Sequence, residues 1–164
     1  MWSIIYIFTF LLSLINATPV TQGTRANISL YLSSTDESID NQPLYSANQD
    51  NTIHFLYGGD SSISFATTFM YDGVNNKVYG RKEGSSDRYY LTFVDDMLRT
   101  KKGDEGMKVT LNTDGSLDFD GSDRLFAYKL GDGTIKYLVL LINGETPSNV
   151  VPVKVKAKTN WATL

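Results

Sequence analysis

The sequence contains no cysteine and only one histidine in 164 residues. Without cysteine the chain has no disulfide bond, no thiol catalysis and no thiolate metal site. It also lacks a Gly-x-Ser-x-Gly motif, a phosphate-binding loop and any histidine-rich spacing, so we expect no active site, no cofactor and no metal ion. The net charge is −3 with no basic block, which gives no electrostatic basis for nucleic-acid binding.

The first seventeen residues contain no charged side chain. Their apolar run from Trp2 to Ile15 covers about fourteen residues, whereas a bilayer needs roughly twenty. The small residue Ala17 precedes Thr18 and Pro19, as at a cleavage site. We therefore predict that residues 1–17 are a secretory signal peptide and that the mature chain is secreted without a membrane span. An uncleaved signal anchor is the alternative.

The remaining chain, about 147 residues, is long enough for one domain that is stable without covalent staples. Residues 18–26 are polar and are predicted to be a flexible lead-in. Residues 27–158 are predicted to be a single β domain, and residues 159–164 a C-terminal tail. Asn27-Ile28-Ser29 matches the N-glycosylation acceptor tripeptide, so we expect a glycan on Asn27.

Hydrophobic and polar residues alternate in short runs along this domain. The segment from Val109 to Tyr128 reads as three strands separated by Asp114-Gly115 and Asp120-Gly121, pairs that tolerate the positive φ of a tight hairpin turn. About nine or ten such strands, without sustained helical periodicity, predict an all-β, antiparallel fold. Uneven strand lengths favour a two-sheet β-sandwich, with a β-trefoil or barrel as the alternative.

Two predicted strands have distinctive patterns. The run from Tyr137 to Ile142 is apolar on both faces, which indicates a central, covered strand. The last strand contains Pro152, which predicts a sheet edge because proline cannot donate a ladder hydrogen bond.

Four aspartates of the same region offer hard oxygen ligands of the kind that calcium prefers. Their spacing matches no EF-hand loop, so we interpret them as turn residues and as an exposed strand face. These residues are Asp114, Asp118, Asp120 and Asp123.

The only histidine, His54, lies between Ile53 and Phe55 in a predicted strand. No motif supplies the nucleophile or orienting carboxylate that a general base requires, so we interpret it as a polar-face strand residue. A secreted hydrolase has the least support. It would need a cleft that gathers several of Asp60, Asp72, Asp95, Asp96 and His54.

Five residues are candidates for a ligand-facing surface. Tyr89 and Tyr90 are adjacent in a predicted strand, so one ring should point outward, where it can stack on a sugar ring or be an ordinary surface tyrosine. Lys154, Lys156 and Lys158 line one side of the last strand and can contact an anionic polymer such as a phosphorylated glycan. Protection of a sheet edge is the interpretation we favour for this row.

Four parts of the chain also carry a family resemblance: the opening strand with its polar loop to Leu44-Tyr45, the strand from Ile53 to Tyr57, the pattern D-G-x-L-x-x-x-G-S-D-x-x-F-A-Y from Asp114 to Tyr128, and Pro147-Ser148-Asn149 leading into Val151-Pro152-Val153. The chain resembles a family of small Candida-type yeast cell-wall mannoproteins, many of them GPI-anchored. The resemblance implies a non-enzymatic structural or adhesive coat protein, with wall glycans or other wall components as partners.

Two family features are not found in this chain. Family members carry a cysteine pair where this sequence reads Phe126-Ala127-Tyr128 and Asn149-Val150, so a disulfide worth about 2–4 kcal/mol is missing. Neither a Ser/Thr-rich stalk nor a hydrophobic GPI signal follows the β domain. We therefore expect an unstapled and unanchored glycoprotein of the fungal cell wall or extracellular space. A secreted carbohydrate- or ligand-binding module is the alternative.

Overall fold

The computed structural model describes residues 25–48, 53–59, 67–81, 84–122, 124–130 and 135–159. The predicted signal peptide lies outside these ranges. Within them no helix is long and apolar enough to cross a membrane. The described ranges contain twelve strands: β1 (Arg25–Ser33), β2 (Leu44–Asn48), β3 (Ile53–Gly59), β4 (Thr68–Asp72), β5 (Lys77–Arg81), β6 (Arg88–Val94), β7 (Met97–Lys102), β8 (Val109–Leu111), β9 (Leu117–Phe119), β10 (Leu125–Lys129), β11 (Ile135–Leu141) and β12 (Val150–Thr159).

Eight strands form a closed antiparallel barrel. Their order around it is β10, β12, β1, β4, β5, β6, β7 and β11, and β11 pairs again with β10. The β2–β3 hairpin extends the sheet, because β3 pairs with both β7 and β11. The all-β antiparallel prediction is confirmed, and the architecture is the barrel alternative rather than the favoured sandwich. Closure requires β1 to pair with β12, near the other end of the chain, and local periodicity does not specify that partner.

Alternation along the strands fills the inside of the barrel. Ile28, Leu30 and Leu32 of β1 are fully buried, whereas the residues between them are less buried and face outward. The neighbouring strands continue this inner face. For example, Ile28 of β1 lies opposite Phe69 of β4. An eight-stranded barrel is just wide enough for side chains to fill it. Burial of each large aliphatic side chain contributes about 1.5–3 kcal/mol, so this interior is the main source of stability.

The hairpin of β8 and β9, residues 109–119, lies outside the barrel sheet and covers part of its core. We call it the covering hairpin. Its Val109, Leu117 and Phe119 are buried in the same hydrophobic cluster as the inner barrel residues. Backbone hydrogen bonds from Val109 N to Asn76 O, at 2.7 Å, and from Ala157 N to Gly115 O, at 2.8 Å, attach it to the β4–β5 turn and to β12. It therefore closes an opening that the barrel strands leave.

The two Asp-Gly turns have different outcomes. Gly115, Asp120 and Gly121 all have positive φ, as the sequence predicts. The first turn joins the paired strands β8 and β9. The second turn closes a single bridge between Phe119 and Ser122 and does not continue as a strand pair, because β10 leaves β9 and pairs with β11 and β12. The predicted three-stranded unit is therefore one hairpin followed by a barrel strand.

The prediction that Pro152 marks an edge strand is wrong for β12 as a whole. This strand pairs with β10 through residues 150–153 and with β1 through residues 154–159. Pro152 lies beyond the point where β1 ends, since Ser33 is opposite Lys154. Its missing N–H therefore faces a position without a strand partner, and the proline is tolerated inside a closed barrel.

Asp72 is a buried carboxylate at the β4–β5 turn, with 5% of its side chain exposed. It accepts hydrogen bonds from the backbone N–H groups of Val74 and Asn75 and from Asn75 Nδ2, at 3.1–3.3 Å. Arg25 Nη2 lies 3.5 Å from its Oδ2 atom. The hydrogen bond from the Asn75 side chain, helped by the backbone bonds and Arg25, lowers the pKa of Asp72 despite its burial.

We expect Asp72→Asn to lower the free energy of unfolding by about 2 kcal/mol at neutral pH, because the turn loses a charged acceptor. The folded pKa lies below the unfolded value of about 3.9, so the contribution of the carboxylate is complete above that value. It is lost as the pH falls through the folded pKa. Urea unfolding at pH 6 and pH 3 should show a smaller difference between the two proteins at pH 3.

The charge-matched control for this prediction is Glu37→Gln, since Glu37 is exposed in the loop after β1. This variant should unfold close to the wild type at pH 6. A difference between wild type and Asp72→Asn that stays constant from pH 6 to pH 3 would contradict the assigned role of the carboxylate.

Candidate functional site

The two predicted ligand-facing tyrosines lie in β6 and are both buried, with 4% of Tyr89 and 6% of Tyr90 exposed. Tyr90 points to the outside of the barrel, since its neighbour Leu91 belongs to the core. Its ring packs 5.4 Å from the ring of Tyr79, and Lys77 Nζ lies 5.4 Å from its centroid. The expected exposed ring is therefore absent from this pair. Long cationic side chains cover outward aromatic rings in this way because their stems are apolar.

Lys154, Lys156 and Lys158 share the outer face of β12, whereas Val153 and Val155, which alternate with them along the strand, are buried. Along this row β12 pairs with β1 on one side, whereas the other side has only the isolated bridge between Ser116 and Lys156, so protection of a sheet edge stays a prediction. Lys158 Nζ lies 4.5 Å from the centroid of the Tyr31 ring, a cation–π contact. Lys154 lines a cavity at the surface.

This cavity, which we call the hairpin cleft, lies between the covering hairpin, the start of β10 and β12. Its volume is about 300 Å³. A neighbouring depression of about 540 Å³ shares Leu125 and Lys154 with it and adds Arg124, Phe126 and Pro152. Polar groups and a short apolar wall therefore meet in one place. The hairpin cleft is lined by Asn112, Ser116, Leu117, Asp118, Gly121, Leu125 and Lys154.

Hydrogen bonds fix the polar side chains of the hairpin cleft. Asn112 Nδ2 donates to Ser116 Oγ at 3.0 Å, and Ser116 Oγ donates to Asp114 Oδ1 at 2.6 Å. The backbone N–H of Gly121 donates to Asp118 Oδ1 at 2.7 Å. The bond from Ser116 lowers the pKa of Asp114, and Lys156 and Lys154 act in the same direction. The cleft thus presents an amide, a hydroxyl and a carboxylate held by hydrogen bonds, and the exposed ammonium group of Lys154 lies beside them.

The hairpin cleft was not predicted from the sequence. Asn112 and Ser116 lie on either side of the predicted Asp114-Gly115 turn, and Lys154 belongs to the row on the last strand. Their meeting depends on the isolated bridge between Ser116 and Lys156, which joins the covering hairpin to β12. No local pattern specifies a contact between segments so far apart in sequence.

The aspartates that suggested calcium take part in turns instead. Asp114 accepts a hydrogen bond from Ser116 N at 3.0 Å, Asp118 accepts one from Gly121 N, and Asp120 has φ 54°. These contacts confirm the interpretation as turn residues, and Asp123 lies outside the described residues. Within the described ranges no group of three or more His, Asp or Glu side chains is placed to hold a metal ion.

The residues that a hydrolase would need are not gathered within the described part of the chain. Asp72 is bound in the β4–β5 turn, whereas Asp95 and Asp96 lie exposed in the separate β6–β7 turn. The backbone of His54 lies in β3, as predicted, but its side chain and Asp60 fall outside the described residues. Among the described residues, Asp72 and the Asp95-Asp96 pair therefore lie in different turns and do not form one cleft.

The predicted covered strand, β11, is covered on one face only. Tyr137 and Val139 are buried inside the barrel, whereas Leu138 and Leu140 lie half-buried on the outer face. They line an outer groove of about 520 Å³ together with Tyr128. The apolar run therefore combines a core face with an exposed groove, rather than two covered faces.

Asn27 of the predicted glycosylation tripeptide lies in β1, and its side chain is exposed on the outer face of the barrel. The next residue, Ile28, is fully buried and faces the interior. The position is therefore accessible from solvent. Glycosylation itself stays a prediction.

The described residues define a small antiparallel β-barrel with a polar surface cleft. The chain is similar to Cell wall protein RHD3 of Candida albicans, with 24% identity over 151 residues, which cover 90% of this chain and 72% of that protein. This similarity supports, at the level of protein class, a relationship to fungal cell-wall proteins. No protein-family model matches the chain, and no solved structure matches it.

Proposed function

We propose that this chain is a secreted, non-enzymatic glycoprotein that associates with the fungal cell wall and has a structural or coat role. The observation that carries the proposal is the similarity to a fungal cell wall protein along 90% of the chain. A barrel without a free edge around its eight strands suits an extracellular role, since closed sheets resist edge-to-edge aggregation. The core is also large enough to be stable without the disulfide of the mannoprotein family.

Cell fractionation tests this proposal. The full chain, tagged at its C-terminus, should be found in the wall fraction or in the culture supernatant of a yeast host. A variant without residues 2–17 is the matched control and should stay inside the cell. A full chain that remains in a soluble intracellular pool would contradict the proposal.

The non-enzymatic assignment is supported by how the polar groups of the hairpin cleft are used. Asp114 and Asp118 both accept short hydrogen bonds from neighbouring turn atoms, at 2.6 Å and 2.7 Å. The pKa of Asp114 is lowered, whereas a general acid near neutral pH requires a raised one. These carboxylates therefore suit fixed hydrogen-bond acceptors better than proton-transfer groups.

A carbohydrate-binding module is the second candidate function, and the hairpin cleft favours it. Its amide, hydroxyl, carboxylate and ammonium groups supply both donors and acceptors for sugar hydroxyls, and the neighbouring Pro152 and Phe126 supply apolar contact. The tyrosine pair that first suggested this function is buried, so the cleft replaces it as the binding surface. Lys154 and Arg124 add positive charge for an anionic substituent.

Under this second function, Lys154→Ala should weaken the binding of a wall oligosaccharide about tenfold, since a charge-assisted hydrogen bond is worth roughly 1.5–3 kcal/mol. Titration calorimetry with neutral and phosphorylated oligosaccharides measures the effect, and a larger loss for the phosphorylated one would identify an anion contact. Lys101→Ala, the same charge change at an exposed residue of β7, is the control. Equal binding by both variants would exclude the cleft.

A further inference from the structure

A row of side chains crosses the outer face of the barrel from β1 to β6 and begins at Asn27. Strand register places Asn27 opposite Met70 of β4, Met70 opposite Tyr79 of β5, and Tyr79 opposite Tyr90 of β6. Side chains of directly opposite residues lie on the same face of the sheet and touch one another. Asn27 is the exposed end of this row, and the two tyrosines are buried.

A groove of about 240 Å³ opens directly at Asn27. Its size is below the roughly 300–1,000 Å³ of pockets for drug-sized ligands, which suits a single sugar ring. Thr68, Met70, Tyr79 and Arg81 form its other side-chain walls. Because Asn27 itself lines this groove, a group attached to its side-chain nitrogen begins beside these walls.

The walls match the chemistry of an N-acetylhexosamine. Met70 is half-buried and offers a flexible apolar surface, which suits the acetyl methyl group and the C–H face of a sugar ring. Arg81 is exposed and its guanidinium carbon lies 5.9 Å from the Tyr79 ring centroid. Arg88 lies 4.9 Å from the same ring. A guanidinium held over an aromatic ring keeps N–H donors available for the amide oxygen and the ring hydroxyls.

We propose that Asn27 carries an N-linked glycan whose first N-acetylglucosamine lies in this groove against Met70 and Arg81, so that the sugar becomes part of the barrel surface. The inference rests on the proposed function in one respect, since the chain must enter the secretory pathway to be glycosylated. It goes further because it names the modified residue and the groove in which the attached sugar lies. The sugar covers the Asn27 end of the row that Tyr79 and Tyr90 continue.

Occupancy and docking are tested on the full chain secreted from a yeast host. Peptide mapping after enzymatic removal of the glycan should find aspartate at position 27. The mapping also distinguishes this site from Asn16-Ala17-Thr18, at the end of the predicted signal peptide, which matches the acceptor tripeptide too.

Thermal unfolding then compares the full glycoform, a form trimmed to one N-acetylglucosamine, and the glycan-free Asn27→Gln and Ser29→Ala variants. The trimmed form should keep a midpoint about 3 °C above the glycan-free proteins, as expected for one modest contact in a domain of this size. Ser29→Thr keeps the tripeptide and should keep the glycan.

A second comparison separates docking from the mere presence of a glycan. In a Met70→Ala background, the midpoint difference between the trimmed and glycan-free forms should fall below about 1 °C, because the groove loses its apolar wall. Leu138→Ala is the matched control, since Leu138 is also half-buried on the outer face but lies on β11. In that background the difference should persist.

Three results would overturn the proposal: an unmodified Asn27 in a secreted chain, equal midpoints for trimmed and glycan-free proteins, or the same glycan effect in the Met70→Ala and Leu138→Ala backgrounds. Fractionation distinguishes these results from failure of the proposed function. A docked glycan on a protein absent from the wall would contradict only the wall role. A protein in the wall fraction with an unmodified Asn27 would contradict the docked glycan and leave the wall role intact.

Discussion

Phe119→Ala is expected to lower the free energy of unfolding by about 3–5 kcal/mol, a large part of the 5–15 kcal/mol typical of a domain. Phe119 is 1% exposed and lies in the covering hairpin. Its ring contacts Phe93 of β6 edge to face, with centroids 5.6 Å apart. Truncation removes this contact and leaves a cavity at the opening that the hairpin closes. Urea unfolding, monitored by far-UV circular dichroism, measures the loss.

Val74→Ala is the matched control, because Val74 is 64% exposed and removal of its methyl groups opens no cavity. It should unfold within about 0.5 kcal/mol of the wild type. If Phe119→Ala changed stability no more than this control, the covering hairpin would not belong to the cooperative core. The hydrophobic cluster would then have to be redefined without β8 and β9.

The double variant Tyr128→Cys with Val150→Cys is expected to form a disulfide that raises the free energy of unfolding by about 3 kcal/mol. Tyr128 and Val150 lie directly opposite each other on β10 and β12. Opposite residues of an antiparallel pair have Cα atoms roughly 4.5–5.5 Å apart, within the range that disulfides accept. The bond would close a loop of about twenty residues, which sets the expected gain. It would also restore a staple in the two segments where the mannoprotein family carries its cysteines.

The oxidised and reduced forms of the same double variant should be compared by urea unfolding, since this comparison cancels the packing lost with the two original side chains. Leu138→Cys with Val150→Cys is the control. Leu138 lies opposite Tyr128 on the other side of β10, two strand spacings or roughly 10 Å from Val150. This pair should stay reduced under the same conditions. A failure of the Tyr128–Val150 pair to oxidise would contradict the β10–β12 register.

Features that depend on neighbours in sequence could be predicted. The alternation of β1 identified Ile28, Leu30 and Leu32 as inward residues, because a strand places successive side chains on opposite faces. The Asp-Gly pairs identified Gly115, Asp120 and Gly121 as turn positions, because few other residue types accept positive φ there. The all-β class follows from these two signals alone.

Features that depend on distant partners could not be predicted. Pro152 suggested an edge, yet the pairing of β12 first with β10 and then with β1 provides a place for it inside a closed barrel. One ring of the Tyr89-Tyr90 pair was expected to be exposed, but both are buried, and Lys77 from β5 lies over the ring of Tyr90. The hairpin cleft likewise requires Ser116 and Lys154 to meet through tertiary contacts. In each case one residue's environment is determined by a strand that no local pattern identifies.

The pairing of β1 with β12 also affects the order of events during synthesis. Ile28 is opposite Thr159, so one edge of β1 has no partner until 131 further residues have been made. At roughly 5–20 residues per second, the interval lasts about 7–26 seconds. Closure over such a sequence separation is slow compared with local hairpin formation. In the secretory pathway that we propose for this chain, the strand that contains Asn27 would therefore lack one partner while a glycosyl transferase could still reach it as extended polypeptide.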